Sequence, residues 1–498
     1  MDSSGARCTP QPHTDGRARG FHHGGPSDAL NGCRLPWSGG ARLLAWRGSG
    51  RLHLPAMARR DPSQRASPRD AAVRIVRALR DSGQVAYLAG GCVRDELLGR
   101  SPSDYDVATD ALPDRVHKIF RRSRYIGEAF GVVQVHMAGH WVEVATFRSE
   151  WGYSDKRRPD HVQFSDAEHD ARRRDFTING LFADPLERDP ATGGDRIIDF
   201  VGGREDLAAR LVRAIGEPGD RFDEDYLRML RAVRFAARLG FTIEQRTATA
   251  ITALARHLGR ISRERIGQEV RMMLTSPGAA VAAALMQQLR LDGPSLNEDH
   301  AKVELAVLSR LEADCYGTAL AAWMLDRHVP TSAQPIGRGE TMPEAAAAMT
   351  AAADFARRRG RGVVRRWRSA LCLSNDLRDQ LLELLELVAR AAQWPSLGVS
   401  ARKRLLGSRA WPGAWRLLRA LPTEAYVRMI ERESAPLLAE GVSPAPLVDG
   451  QDLIGLGLTP GPIFKQLLEG VYDAQLEGRV HTRKQAIAWV RQQAKAGR

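Results

Sequence analysis

The stretch Leu88-Ala89-Gly90-Gly91-Cys92-Val93-Arg94-Asp95, followed closely by Asp104-Tyr105-Asp106, decides how the front of this chain folds. Residues 85–88 read as a short strand, and residues 93–98 read as a helix. Two glycines before a helix let the backbone approach a phosphate, and the helix N-terminus offers unpaired N–H groups. Gly90 and Gly91 therefore predict an anion-binding turn, although such a pair alone is also typical of a plain strand-to-helix turn.

Asp104 and Asp106 lie two residues apart in a segment, residues 104–107, whose alternation predicts a strand. Both carboxylates should then project to one face of the strand. Two carboxylates side by side repel each other, and hard cations such as magnesium prefer oxygen ligands. A solvated turn is the alternative for an isolated pair. Beside an anion-binding turn, we predict a metal site.

A third carboxylate, Glu143, is predicted to join this site. It lies in the run Trp141-Val142-Glu143-Val144, where the valines should face a core and the glutamate the opposite side. Phosphoryl transfer with two metal ions usually needs a further acid of this kind. The alternative is an exposed glutamate on an edge strand.

The pattern of apolar residues divides the chain into a mixed α/β head and a helical remainder. Residues 131–147 read as two strands joined by Ala138-Gly139-His140, because valines alternate with other residues on both sides. After about residue 204, Leu, Ala and Arg dominate and helical periodicity continues to the C-terminus. A loop is predicted over residues 328–343, and two prolines near residue 445 predict a break before a separate helical tail.

Composition restricts the function classes further. The 498 residues are 43% apolar and 27% charged, near the globular average, so wholesale disorder is excluded. The five cysteines are scattered, which excludes a disulfide framework or zinc ribbon and predicts a cytoplasmic location. No apolar run reaches membrane-spanning length. Lys and Arg number 73 against 59 Asp and Glu, a net charge of +14 that favours a polyanionic partner such as nucleic acid.

Part of that charge lies in residues 1–60, where nine arginines face three aspartates in a segment rich in Gly, Ser and Pro. We expect this segment to be disordered, or to lie outside the native protein if translation begins at Met57. A basic arm that binds nucleic acid is the alternative.

Four motifs resemble those of one family, the tRNA nucleotidyltransferases and bacterial poly(A) polymerases of the class II branch of polymerase-β-like nucleotidyltransferases. Residues 90–106 resemble its metal and triphosphate motif, and residues 173–179, Arg-Arg-Asp-Phe-Thr-Ile-Asn, resemble its ribose motif. Residues 224–228, Glu-Asp-Tyr-Leu-Arg, resemble its nucleobase-selecting motif, and residues 261–269 resemble a further neck motif. The resemblance is strong over residues 70–275 and faint beyond them, apart from a C-terminal segment around residues 453–490.

The resemblance implies an α+β fold with a polymerase-β-like nucleotidyltransferase head, a mixed sheet with helices, followed by an all-helical neck, body and tail. We expect the head over residues 61–203, the neck over 204–275, the body over 276–445 and the tail over 446–498.

The resemblance also implies a role for each matching residue. By the resemblance, Asp104 and Asp106 would be catalytic and hold magnesium (Mg2+), and Glu143, predicted above from its place in the strand, would join them in both roles. The nucleotide-binding residues would be Gly90, Gly91, Arg94, Asp95, Arg173, Arg174, Asp175, Asn179, Glu224, Asp225, Arg228 and Arg231.

The base-selecting motif also has a physical interpretation. Asp225 and Arg228 are three residues apart on a predicted helix, so both should face a nucleobase edge, with a plain salt bridge as the alternative. Arg228, Arg231, Arg234 and Arg238 continue along this helix as a basic stripe. In the predicted body, a second basic run is a candidate site for tRNA backbone phosphates, with a solvated helix face as the alternative. Its candidate residues are Arg357, Arg358, Arg365 and Arg366.

We therefore expect a template-independent enzyme that adds CCA, from CTP and ATP, to the 3′ end of tRNA. By the resemblance, a mobile loop over residues 148–159 supports addition of A. Poly(A) polymerase activity on RNA is the first alternative, and a catalytically inactive RNA-binding scaffold is the second. The sequence leaves the oligomeric state open.

Overall fold

The structure is a computed structural model that describes residues 66–126, 131–152, 161–311, 315–329 and 341–496. The predicted basic extension, residues 1–60, lies outside the described residues. Most of the predicted loop over residues 328–343 also lies outside them.

The first helix of the described chain is α1 (Pro68–Asp81). The Ser67 hydroxyl accepts the N–H of Asp70, and the Asp70 carboxylate accepts the N–H of Ser67, so two free donors at the helix start are satisfied. Ile75, Val76 and Leu79 are buried on one side of the helix, against the sheet.

A mixed sheet of seven strands, in the order β3-β4-β5-β2-β1-β8-β9, forms the head. Strands β2 and β5 are parallel, and the other neighbours are antiparallel. These strands are β1 (Ala86–Ala89), β2 (Asp106–Thr109), β3 (Ser123–Tyr125), β4 (Val132–Met137), β5 (His140–Thr146), β8 (Phe182–Arg188) and β9 (Asp195–Ile198).

The register of the sheet brings the predicted acidic residues together. Glu143 on β5 is aligned with Asp106 on β2 on one side and with Gln134 on β4 on the other. The valines that alternate with them, such as Val133 and Val144, are buried against α1, so the carboxylates lie on the opposite face. The predicted hairpin is confirmed: β4 and β5 meet at Ala138 and Gly139, both with positive φ.

Asp104 departs from its prediction. Strand β2 begins only at Asp106, so Asp104 belongs to the preceding loop and not to the strand. The Asp104 carboxylate accepts a hydrogen bond from the Ser103 hydroxyl at 2.8 Å.

The segment predicted as a mobile loop, residues 148–159, begins as a strand. Strands β6 (Arg148–Trp151) and β7 (His161–Phe164) pair as an antiparallel ribbon. Residues 153–160, between the two strands, lie outside the described residues.

Helices dominate after the sheet, as expected, with one small exception. A two-stranded parallel pair forms from β10 (Leu211–Val212) and β11 (Thr242–Ile243). The remaining helices are α2 (Gly91–Leu97), α3 (Pro113–Ile119), α4 (Ala167–Arg172), α5 (Gly203–Ala208), α6 (Pro218–Glu224), α7 (Leu227–Leu239), α8 (Gln245–Leu254), α9 (Arg263–Leu274), α10 (Ala279–Gln288), α11 (Asp292–Leu296), α12 (Ala306–Arg310), α13 (Tyr316–His328), α14 (Met342–Phe355), α15 (Arg361–Leu371), α16 (Asn375–Ala391), α17 (Val399–Leu406), α18 (Trp411–Ala420), α19 (Glu424–Glu440), α20 (Gly450–Gly455), α21 (Pro462–Leu476) and α22 (Arg483–Ala496).

The last three helices have a hydrophobic core of their own. Val448, Leu453, Val471 and Val490 belong to a cluster that is separate from the main core. The chain between α19 and α20 is not helical, where the two prolines predicted a break. The domain boundaries at residues 203, 275 and 445 stay predictions. Among the described helices, none combines the length and the apolar character needed to cross a membrane.

Candidate active site

A cavity of about 630 Å³ opens between the acidic face of the sheet and helix α7. It brings together most of the predicted site residues, from all of the motifs. These are Gly90, Gly91, Arg94, Asp104, Asp106, Arg173, Arg174, Asp175, Asn179, Asp225, Arg228 and Arg231. Asp95, Glu143 and Glu224 do not line the cavity, but each contacts or faces a residue that does.

The glycine turn is required by both its backbone and its surroundings. Gly90 has φ +75°, a conformation that side chains other than glycine rarely adopt. A Cβ atom there would lie 2.7 Å from Arg174 Nη1, so a side chain would have to displace that guanidinium group. The guanidinium group of Arg174 therefore packs directly against the turn, and a cation accompanies the predicted anion site.

Behind the turn, Arg94 is buried and fully engaged by protein groups. Its Nε donates to Asp95 at 2.7 Å, and its Nη1 donates to the Asn179 side chain at 2.6 Å. Asn179 in turn donates to Asp175 at 3.0 Å. Arg94 and Asp95 thus brace the turn against the ribose motif.

Asp175 connects this network to helix α7. Its second oxygen pairs with Arg231 at 2.7 Å. Burial alone would raise the pKa of Asp175, but Arg231 and the hydrogen bond from Asn179 outweigh burial and lower the pKa to about 2. Asp175 is therefore a fixed negative charge at neutral pH.

Asp170, which has no role in the predictions, orients the two arginines of the ribose motif. Its buried carboxylate pairs with Arg173 at 2.6 Å and with Arg174 at 3.0 Å. Arg173 also pairs with Glu150 on β6, so the ribbon is tied to the same cluster. The sequence could have indicated this contact, because Asp170 lies on α4, three and four residues before Arg173 and Arg174.

The three carboxylates repel one another. Desolvation, together with the charges of Glu143 and Asp104, raises the pKa of Asp106 to about 6, and only Arg174 opposes this. Within the part of the chain that the structure describes, no three acidic, histidine or cysteine side chains form a ready-made metal cluster. The donors nevertheless fit a hard divalent cation, because all are carboxylates and a cation would relieve their repulsion.

The base-selecting motif is arranged differently from its prediction. Asp225 has extended backbone between α6 and α7, so Asp225 and Arg228 do not share a helix, and that prediction is wrong. The Asp225 carboxylate accepts the N–H of Leu227 at 3.0 Å, which explains why the helix begins after it. Both side chains still line the cavity.

Asp225 and Arg228 each have a partner other than one another. Asp225 accepts two hydrogen bonds from Arg265 on α9, at 2.6 and 3.2 Å. Arg228 pairs with Glu224 and donates to the carbonyl oxygen of Arg221 at 2.9 Å. The salt bridge that the sequence left as an alternative, between Asp225 and Arg228, is replaced by these two pairs. Arg265 is a cavity residue to which the predictions gave no role.

The basic stripe on α7 is balanced by acidic residues. Besides the Arg231 pair with Asp175, Arg234 pairs with Glu269 at 2.6 Å, and Arg238 lies 3.7 Å from Asp95. These pairs join the helix to the head and to α9.

The basic run of the predicted body lies away from this cavity, on a π-helical turn (Ala356–Gly360) and on α15. Arg357, Arg358, Arg365 and Arg366 are exposed. Arg358 lies 3.9 Å from Asp354 and Arg366 lies 3.6 Å from Glu298, whereas Arg357 and Arg365 have no ion pair with any described residue.

Two segments match family models. Residues 86–213 match the poly A polymerase head domain, and residues 240–293 match the probable RNA and SrmB-binding site of polymerase A. The first segment contains the sheet and the glycine turn, and the second contains Arg265.

Relatives match over a longer range. The chain is 33% identical over 440 residues to the CCA-adding enzyme of Geobacillus thermodenitrificans, which covers 86% of this chain and 98% of that protein. It is 40% identical over 221 residues to that of Bacillus subtilis, which covers 44% of this chain and 54% of that protein.

Solved structures agree with these relatives. The Bacillus stearothermophilus CCA-adding enzyme in complex with CTP superimposes with a TM-score of 0.63 at 28% identity, over 86% of this chain and 98% of that one. The Thermotoga maritima CCA-adding enzyme complexed with tRNA has the same fold, with a TM-score of 0.57 at 19% identity, over 87% and 97%. Because the chain is 33% identical to the Geobacillus thermodenitrificans enzyme over 86% of its own length and 98% of that enzyme, it belongs to the CCA-adding enzyme family of nucleotidyltransferases.

Proposed function

We propose that this protein adds C, C and A, from CTP and ATP, to the 3′ end of tRNA without a nucleic-acid template. The observation that carries the proposal is a single cavity that joins an anion-binding turn, a set of carboxylates and a donor–acceptor pair for a base edge. We infer a cytoplasmic location, where tRNA and free nucleotides are both available.

Asp104, Asp106 and Glu143 would hold magnesium at the sheet face. When bound, the cations supply the positive charge that activates the terminal 3′-hydroxyl and stabilises the triphosphate during transfer. The carboxylates themselves provide hard oxygen ligands, and Asp106 must be deprotonated to act as one.

The triphosphate would lie against the turn at Gly90 and Gly91. Arg174 is the cation placed to meet it, because its guanidinium group already packs against Gly90. Arg94 lines the cavity, but its nitrogen atoms donate to Asp95 and Asn179, so we assign it to bracing the turn. Arg173 and Asp175 would position the ribose and its neighbouring groups.

Asp225 and Arg228 would select the base. Cytosine and adenine both present an amino donor next to a ring-nitrogen acceptor, which matches a carboxylate beside a guanidinium group. Uracil and guanine present a carbonyl oxygen where the amino group should be. Binding of the base must compete with Arg265 for Asp225 and with Glu224 for Arg228.

The tRNA backbone would contact exposed arginines of the predicted body. Arg357 and Arg365 fit this role better than Arg358 and Arg366, because no described acidic residue neutralises the first two. Such contacts bind phosphates without reading sequence.

The decisive experiment measures product length. Purified protein, magnesium, CTP, ATP and tRNA that lacks its last three nucleotides should yield a product three nucleotides longer, and CTP alone should yield two. The physical reason is that the cavity has a limited size. As the RNA 3′ end grows, the added nucleotides fill the cavity, and no room is left for a further nucleotide. Long adenosine tails on tRNA and unstructured RNA would instead identify a poly(A) polymerase. RNA binding without magnesium-dependent incorporation would identify an inactive scaffold.

A further inference from the structure

A cluster of polar and aromatic side chains lies on the open face of the sheet, next to Glu143. We call it the edge platform: Arg124 on β3, Gln134 and His136 on β4, and Trp141 on β5. Arg124 is aligned with Gln134, and Gln134 with Glu143, so one cross-strand row leads from the sheet edge to the carboxylates. His136 is aligned with Trp141 in the next row on the same face.

Direct contacts hold the edge platform together. Arg124 donates two hydrogen bonds to the Gln134 side-chain oxygen, at 2.8 and 3.0 Å, and Gln134 donates to Glu143 at 3.3 Å. The Arg124 guanidinium group lies 4.4 Å from the centre of the Trp141 ring, and the His136 ring meets that ring edge-on at 5.1 Å. Trp141 is thereby held in one orientation.

The platform is not needed to form the core of the head. The opposite face of the same strands is already buried through valines, whereas 48% of Trp141 stays exposed to solvent. A half-exposed tryptophan ring offers a flat face on which a nucleobase can stack. Trp141 is two residues from Glu143 on one face, roughly 7 Å along the strand.

The charge around the platform favours a polyanion. Arg124 bonds to a neutral amide, and no described carboxylate pairs with it. Arg121 and Arg122, which directly precede β3, are also exposed. The carbonyl oxygen of Arg122 accepts the N–H of His136, so this basic segment lies beside the platform.

We propose that the edge platform binds the unpaired 3′-terminal nucleotides of the RNA substrate, with one base stacked on Trp141 and backbone phosphates contacting Arg124 and its basic neighbours. This inference rests on the proposed function, because the attacking 3′-hydroxyl must reach the carboxylates beside Glu143. Stacking tolerates any base, and phosphate contacts read no sequence, so the platform suits an end whose last nucleotide changes during the reaction.

A fluorescence experiment tests the platform without catalysis. The probe is an RNA hairpin with an unpaired 3′-terminal 2-aminopurine, titrated with the full chain in the absence of nucleotide. Parent protein should quench the fluorescence through stacking. Trp141→Ala should abolish the quenching, and Trp141→Phe should restore it. Quenching by Trp141→Ala equal to that of the parent would overturn the proposal.

Steady-state kinetics with shortened tRNA tests the same surface during turnover. Trp141→Ala should raise the KM for tRNA roughly 5- to 20-fold, because base stacking is lost, and should leave the KM for CTP within twofold. Arg124→Gln should weaken tRNA binding and reduce its dependence on salt by about one phosphate contact. An increase confined to the KM for CTP would overturn the proposal.

The matched control is Arg196→Ala on β9, at the opposite edge of the same sheet, where the arginine is exposed and pairs with Glu187. It should behave like the parent in both experiments, and Arg124→Gln should differ from it. If the parent protein incorporates no nucleotide, the proposed function fails, while the fluorescence titration still decides whether the platform binds an RNA end.

Discussion

The hydroxyl group of Tyr105 donates a hydrogen bond to Glu96 at 2.7 Å, and so links the segment that contains Asp104 and Asp106 to helix α2 after the glycine turn. Tyr105 lies between Asp104 and Asp106, and its side chain is buried. Burial and the neighbouring carboxylate raise the pKa of Tyr105, so the hydroxyl keeps its proton. Arg69 on α1 donates to the same Glu96 oxygen at 2.7 Å. The carboxylate segment and the helix that follows the glycine turn are thus held together through Glu96.

Tyr105→Phe should therefore impair magnesium use more than nucleotide binding. Loss of one hydrogen bond of about 1 kcal/mol should lower kcat about fivefold and raise the magnesium concentration for half-maximal activity. The KM for CTP should change less than twofold. Tyr87→Phe on β1 removes a hydroxyl for which no hydrogen bond with a described residue is found, and should match the parent. Equal magnesium dependence in all three proteins would contradict the linking role.

Asp106→Asn should abolish nucleotide incorporation, because the proposed metal site loses a charged ligand. Affinity for tRNA, measured by filter binding, should stay within a few fold, since Asp106 faces the cavity and carries no positive charge. Normal turnover by this variant would disprove the metal assignment.

The same variant should be more stable than the parent at alkaline pH without magnesium. The pKa of Asp106 is raised from 3.8 to about 6, so its contribution to stability is fully present below pH 4 and is lost as the pH rises through 6. Asp106→Asn removes that loss, which we put at about 1 kcal/mol because the side chain opens to solvent. Thermal unfolding should show the gain at pH 8, none at pH 4, and a smaller gain when magnesium is added.

Arg228→Ala should damage the choice of nucleotide more than the binding of tRNA. A forked donor to a base edge is worth roughly 1–3 kcal/mol, so preference for CTP over UTP should fall at least fivefold. Competition assays with both nucleotides measure this preference. Arg246→Ala, which removes an exposed arginine paired with Glu217, provides the control. Undiminished preference in Arg228→Ala would disprove its role in base selection.

The local sequence predicted the individual elements of the site better than the long-range contacts between their side chains. The turn at Gly90, the hairpin and the position of Glu143 follow from glycine chemistry and period-two patterning. The pairing of Asp225 with Arg265 does not, because it joins residues 40 positions apart through tertiary packing. The prediction of one helix across residues 225–228 was wrong because the Asp225 carboxylate accepts the N–H of Leu227, and the helix begins only after this contact. The sequence shows that Arg124 is basic, but only the sheet register connects this residue to the carboxylates.

The pair Asp175–Arg231 should stabilise the whole cavity wall, and a double-mutant cycle measures by how much. Asp175 is buried and also accepts from Asn179, so Asp175→Asn leaves Arg231 without its countercharge and should cost about 2–3 kcal/mol. Arg231→Met should cost a similar amount, because it leaves a buried carboxylate unpaired. The double variant should cost less than the sum of the two. Urea unfolding at pH 7 gives the coupling free energy, and a value near zero would show that the pair does not stabilise the cavity wall. Since the pKa of Asp175 lies near 2, the coupling should persist unchanged from pH 8 to pH 5.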